Sequence, residues 1–148
     1  MNSLKSLRQV RRDAGDPYAS AAQSASVLKE GVQYRRKRIE ASDLIEPEEA
    51  ARLIGATPVA IHAWIEAGRC IGVSDRGRGC KLPRWQFEPE IWPVVQVLAK
   101  GLGTSDGWQL LAFLESPASA LDGRTPRAAL EQSVPVERIL ALAAAWAH

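Results

Sequence analysis

The stretch that most constrains this chain is LIEPEEAARLIGATPVAIHAWIEAGR, residues 44–69. Pro47 suits a first helical position, where its missing N–H costs nothing, and Glu48 and Glu49 fall in the first turn, where anions complement the helix dipole. Ala50, Leu53 and Ile54 stand at i, i+3, i+4 and predict one apolar stripe. Gly55 ends that helix. Thr57 is a good N-cap for a second helix, with Pro58 at N1, and Ile61, Trp64 and Ile65 repeat the stripe until Gly68 closes it. Two short amphipathic helices joined by a glycine turn predict a helix-turn-helix.

The next segment narrows the reading. In CIGVSDRGRGCKLP, residues 70–83, a short apolar run around Ile71 and Val73 leads to a tip rich in Gly and Arg and returns through Lys81 and Leu82. That pattern predicts a two-stranded wing. Trp85, Phe87, Ile91 and Trp92 supply anchors to pack it down, and residues 94–102 make one more amphipathic helix. Upstream, Ser20–Glu40 reads as a helix ending in Arg35, Arg36, Lys37 and Arg38. Cations in a last turn complement the dipole, so this cluster has a structural as well as a phosphate-binding reading.

The last third carries three helical pieces: about 106–115, with Trp108, Leu111, Ala112 and Phe113 or Leu114 inward; TPRAAL, where Thr125 caps and Pro126 takes N1; and a run from Pro135 with Val136, Ile139, Leu140 and Ala143 as its stripe. The expected architecture is mainly α. It comprises a basic arm and helix (1–41), a winged helix-turn-helix (42–102) and a helical C-terminal domain (103–148).

Charge is unevenly spread. Residues 1–41 hold nine Lys/Arg against four Asp/Glu, a local +5, while the remainder sums to −3, giving the net +2. A basic arm on a mildly acidic body suits a partner with phosphates. Nothing approaches a membrane span, and MNSLKSLRQVRRDAGD lacks the apolar core of a secretory signal, so a cytoplasmic protein is expected. Cys70 and Cys80, ten residues apart, match no zinc pattern and read as reduced thiols.

Catalytic chemistry is not indicated. Neither His62 nor His148 has a Cys or carboxylate at metal-ligand or triad spacing, and GRG at 77–79 lacks the ending of a phosphate loop. No catalytic residue, metal or cofactor is expected, and the chain reads as a binding protein. Trp64 and Trp108 lie on apolar stripes and read as core. Trp146 has a second reading, as an aromatic left for a partner.

The order helix-turn-helix, AGR, basic wing and aromatic closure resembles the MerR/excisionase type of winged helix. The run WQLLAFLESPASALDGRTPRAAL resembles the toxin-binding domain of Xre/MbcA/ParS-type antitoxins, through Trp108, Pro117, Leu121, Gly123, Arg124 and Pro126. Together the two resemblances cover roughly residues 42–148. They imply an antitoxin of a type II toxin–antitoxin pair that occludes a RES-domain toxin, an enzyme that destroys NAD. They also imply repression of its own operon and assembly as dimers or larger oligomers. By analogy Leu121, Gly123, Arg124 and Pro126, with Trp146 and His148 on the last helix, would face the toxin.

The second helix of the pair departs from a sequence-reading helix. Its outward positions, Pro58, Val59, Ala60, His62, Ala63 and Glu66, hold none of the Arg, Lys, Asn or Gln that usually address base edges, which leaves Thr57 and His62 as candidates. Phosphate contacts fall to Arg69, Arg76, Arg78, Lys81 and Arg84, with Arg35–Arg38 on the arm. Two alternatives stand beside the antitoxin reading: a stand-alone regulator of excisionase or MerR type, and a helical adaptor whose winged helix has become a protein-binding surface.

Overall fold

A computed structural model describes residues 17–77 and 79–147, with side chains from residue 25 onward. The described fold is mainly helical, with seven α-helices and a small three-stranded antiparallel sheet. Two units divide between Arg38 and Ile39. The first carries α1 (Pro17–Ile39), 23 residues long, whose last turn bears Arg36, Lys37 and Arg38. Along it Val27, Leu28 and Tyr34 are exposed.

In the second unit, α2 (Pro47–Ile54) has Pro47 at its start and ends on Gly55 in the left-handed region. α3 (Pro58–Glu66) is capped by Thr57, whose Oγ1 accepts from Ala60 N at 3.1 Å. Past its end, Gly68 sits at φ 77°, and a Cβ there would press on the Ala99 side chain of a neighbouring helix. Glycine alone meets both demands. The inward stripe of α2 differs from expectation by one position. Ala51 is buried with Pro47 and Ala50, and Leu53 is 43% exposed. A pair of alanines lets α2 lie close on α3 and the sheet, where a leucine would hold it away.

The sheet has a strand more than expected. β2 (Val73–Ser74) and β3 (Cys80–Pro83) form the hairpin, with Val73 opposite Lys81 and Ser74 opposite Cys80. β1 (Leu44–Ile45) pairs with the other half of β3, Leu44 opposite Pro83 and Ile45 opposite Leu82. At two residues, β1 is too short to show any alternation in sequence. It is held by its partner, and the ladder continues one step further through Arg84 N to Asp43 O at 2.8 Å.

α4 (Trp92–Leu102), α5 (Gly107–Glu115), α6 (Pro126–Glu131) and α7 (Val136–Trp146) complete the unit. α4 and α7 make the most extensive helix pairing. One core runs from Ile39 and Leu44 through Val94, Leu98, Leu110 and Phe113 to Ile139 and Ala143, so residues before and after 102 share it. A smaller cluster joins Ile45, Ala50, Ala51, Ile61, Cys70 and Leu82 beneath the two short helices. Trp92 packs against both. Its ring lies 6.4 Å from that of Trp64 and 5.1 Å from that of Phe87, both tilted. α5 buries Leu110, Leu111, Phe113 and Leu114, more of its circumference than the expected face. Trp108 is only half-buried and donates through Nε1 to Ser74 O at 3.0 Å, tying α5 to the hairpin.

Candidate functional site

Two surfaces hold the residues singled out by sequence. On the first, α3 turns Ile61, Trp64 and Ile65 inward and leaves Val59, His62, Ala63 and Glu66 exposed at i, i+3, i+4, i+7. Val59 is 79% exposed, the highest of any large apolar residue described. Thr57 Oγ1 accepts the cap bond and keeps its O–H to donate, and His62 and Glu66 are the polar side chains further along this face. Arg69 follows the helix, exposed, with its backbone N–H on Trp64 O at 2.8 Å. Arg76 is exposed at the hairpin tip with φ 46°, beside Gly77 at φ 78°.

The other expected phosphate contacts divide. Lys81 is half-buried within β3. Arg84 donates through Nη1 to Glu49 Oε2 at 3.0 Å, and both side chains are about half exposed. Such a pair adds little stability, and a phosphate would have to displace the carboxylate. Arg35, Arg36 and Lys37 are exposed on α1 and Arg38 is half-buried, in the other unit. Arg78 and His148 lie outside the described residues.

The second surface is C-terminal. Leu121 is 1% exposed and Pro126 is buried, so these two side chains shape the 118–126 loop from inside. The loop is closed by Ala118 N to Arg124 O at 3.0 Å and Gly123 N to Ala118 O at 2.9 Å. Arg124 braces it, Nε to Leu121 O at 2.9 Å and Nη1 to Gln132 Oε1 at 2.8 Å. Arg138 Nη2 adds a bond to Ala120 O at 3.0 Å. What the loop presents outward is Ser119, Ala120, Asp122 and Gly123. At the end of α7, Trp146 is 51% exposed and stands edge-on to the Phe113 ring, centroids 5.4 Å apart at 89°. Beside it lies a groove lined by Leu102, Thr104, Gln109 and Ala112.

Sequence reasoning missed a polar cluster where α6 meets the turn that follows β3. The Arg127 guanidinium lies 4.4 Å over the Trp85 ring and pairs with Glu131 at 3.1 Å. Trp85 Nε1 donates to Asp43 Oδ2 at 2.8 Å. Loss of solvent and the charge of Glu131 push the Glu88 carboxyl above its ordinary range, partly offset by Arg127. Asp43, Trp85 and Arg127 follow one another at intervals of 42 residues, so no local pattern could have joined them.

Among the described residues, no three of His, Cys, Asp and Glu come together as a metal site, and no helix is long and apolar enough to cross a membrane. Burial, then the neighbouring Cys80, pushes the Cys70 thiol up to about 12, and burial raises Cys80 too. Neither has the lowered pKa of a nucleophilic cysteine. No family model, no curated protein and no solved structure matches the chain.

Proposed function

We propose that this chain is the antitoxin of a type II toxin–antitoxin pair. In this reading α2, α3 and the β2–β3 hairpin work as a winged helix-turn-helix on operator DNA. The C-terminal helices hold and occlude a RES-type toxin in the cytoplasm, and the protein self-associates. It acts by binding, not by catalysis.

The observation that carries the reading is Trp146. A half-exposed indole set edge-on to Phe113, next to a groove, has the form of an aromatic anchor for a protein partner. The braced 118–124 loop supports it, because a surface held rigid before docking loses less entropy on binding. The exposed Arg69 and Arg76 support the DNA half of the proposal.

The test is co-expression with the product of the adjacent reading frame, scored for a stable complex and for rescue of growth. Both are expected, and Trp146→Ala should weaken the complex at least tenfold, the size of an anchor's loss. Neither complex nor rescue would overturn the antitoxin reading. A second reading, a stand-alone DNA-binding regulator, is favoured by the exposed Arg69 and Arg76. It would stand if the chain retarded DNA but gave neither a complex with the neighbouring product nor rescue of growth.

A further inference from the structure

The 23-residue helix α1 carries an apolar face in solvent. Ala25 and Leu28 are exposed, Leu28 by 70%, and Val32 is half-buried. With position 21, an alanine in the sequence, and Arg35, these positions advance by four, three, four and three residues. Alternate steps of three and four are the spacing of a coiled-coil seam, which keeps one face toward a second helix. Val27, 66% exposed, and Tyr34 lie off that seam. Helices of this kind gain most of their stability by packing such a face.

The residues on the seam say what packs there. Its two small positions, 21 and 25, are followed by its two large ones, 28 and 32, so the seam is complementary to itself when reversed. In an antiparallel pair Ala25 of one copy meets Leu28 of the other, and position 21 falls opposite Val32. Every layer then sets a small residue against a large one, as close packing requires. Charge decides the direction. Arg35, Arg36, Lys37 and Arg38 end the helix, and a parallel pair would lay two such runs side by side. In the antiparallel register the runs stand about 30 Å apart, roughly three screening lengths at 0.1 M salt. Each falls beside positions 15–18 of the other copy, where the sequence has Asp16.

We infer that α1 pairs with α1 of a second copy as an antiparallel coiled coil centred on Ala25 and Leu28. The inference rests on the self-association in the proposed function and names its surface; neither toxin nor DNA enters.

The experiment is sedimentation equilibrium of the full chain alone, over a concentration series at low and moderate salt. A monomer–dimer equilibrium is expected. Leu28→Ala removes two leucines from each dimer and should raise the dissociation constant on the order of a hundredfold. Val27→Ala, next to it and nearly as exposed, should leave the constant unchanged. Alanine is the best helix former, so neither change breaks α1. Added salt should leave the dimer unchanged or weaken it slightly. A dimer that tightens with salt has brought the basic runs together, which overturns the antiparallel arrangement. A dimer indifferent to Leu28→Ala overturns the inference and leaves self-association standing. A chain that stays monomeric at every concentration overturns both.

Discussion

Gln86 and Ile71, fifteen residues apart, are joined by two hydrogen bonds that pair both backbone groups of Ile71. Gln86 Nε2 donates to Ile71 O at 2.8 Å, and Gln86 Oε1 accepts from Ile71 N at 2.8 Å. The Gln86 side chain is fully buried. The segment between α3 and β2 therefore gets from a side chain the pairing that a strand would have given it. The first prediction follows from this. Gln86→Leu keeps the volume but leaves the Ile71 N–H and C=O buried without partners, a loss of about 3 kcal/mol. Urea unfolding should show a lower midpoint with an unchanged slope. A midpoint shift under one third of that size would refute the assignment.

Gly107 opens α5 against the same segment. A Cβ at this position would run into the carbonyl oxygen of Gly72, which is backbone and has nowhere to go. Gly107→Ala should therefore destabilise the fold by about 1–3 kcal/mol, the range for forced overpacking, although alanine is the better helix former. Thermal melting of the two proteins decides it. Gly103→Ala, with open space at the Cβ but a φ of 73°, is a control for backbone strain without collision.

The Arg127–Trp85 stack predicts a graded series. Arg127→Ala should cost about 1 kcal/mol in denaturant, and Arg127→Lys less, since lysine keeps the charge over the ring but loses the flat guanidinium. Equal losses for the two would show that charge contributes nothing here.

Glu88 gives a pH dependence of known sign. Its carboxyl is raised in the folded state by loss of solvent and by Glu131, so folding disfavours the charged form. The resulting penalty is present at neutral pH and fades as pH falls through the folded pKa. Glu88→Gln should raise the melting temperature slightly at pH 7, with the gap closing on acidification as the Glu88 carboxyl becomes protonated in both states. A gap that grew on acidification would reverse the sign.

Cys70 is buried and its thiol is pushed up to about 12, so thiolate is scarce at pH 8. A disulfide reagent should label Cys70 in the native protein only on the timescale of unfolding, and at once in denaturant. Fast native labelling of Cys70, identified by peptide mapping, would contradict the burial.

Much of the local structure was legible because it rests on contacts three or four residues apart. Pro47, Gly55, Thr57, Pro58 and Thr125 sit at helix ends in the structure, where their missing N–H, permitted φ or side-chain oxygen predicts them. The stripe of α3 and the existence of the hairpin are likewise consequences of neighbours. Of the candidate site, the outward α3 face could be read from helical spacing, and Trp146 from its place on α7.

Other features depended on which surfaces met. Leu53 faces outward because two alanines give α2 a closer approach, a choice made by α3 and the sheet rather than by α2 alone. β1 exists because β3 had unpaired backbone groups to offer. Leu121 and Pro126 entered the core, leaving the loop's polar and small residues at the surface. Asp43, Trp85 and Arg127 became one cluster only when α6 met the turn that follows β3. Sequence determined the caps, periods and turns, whose energies are local. Tertiary structure decided burial and long-range pairing, because those depend on the shape of surfaces that no single segment contains.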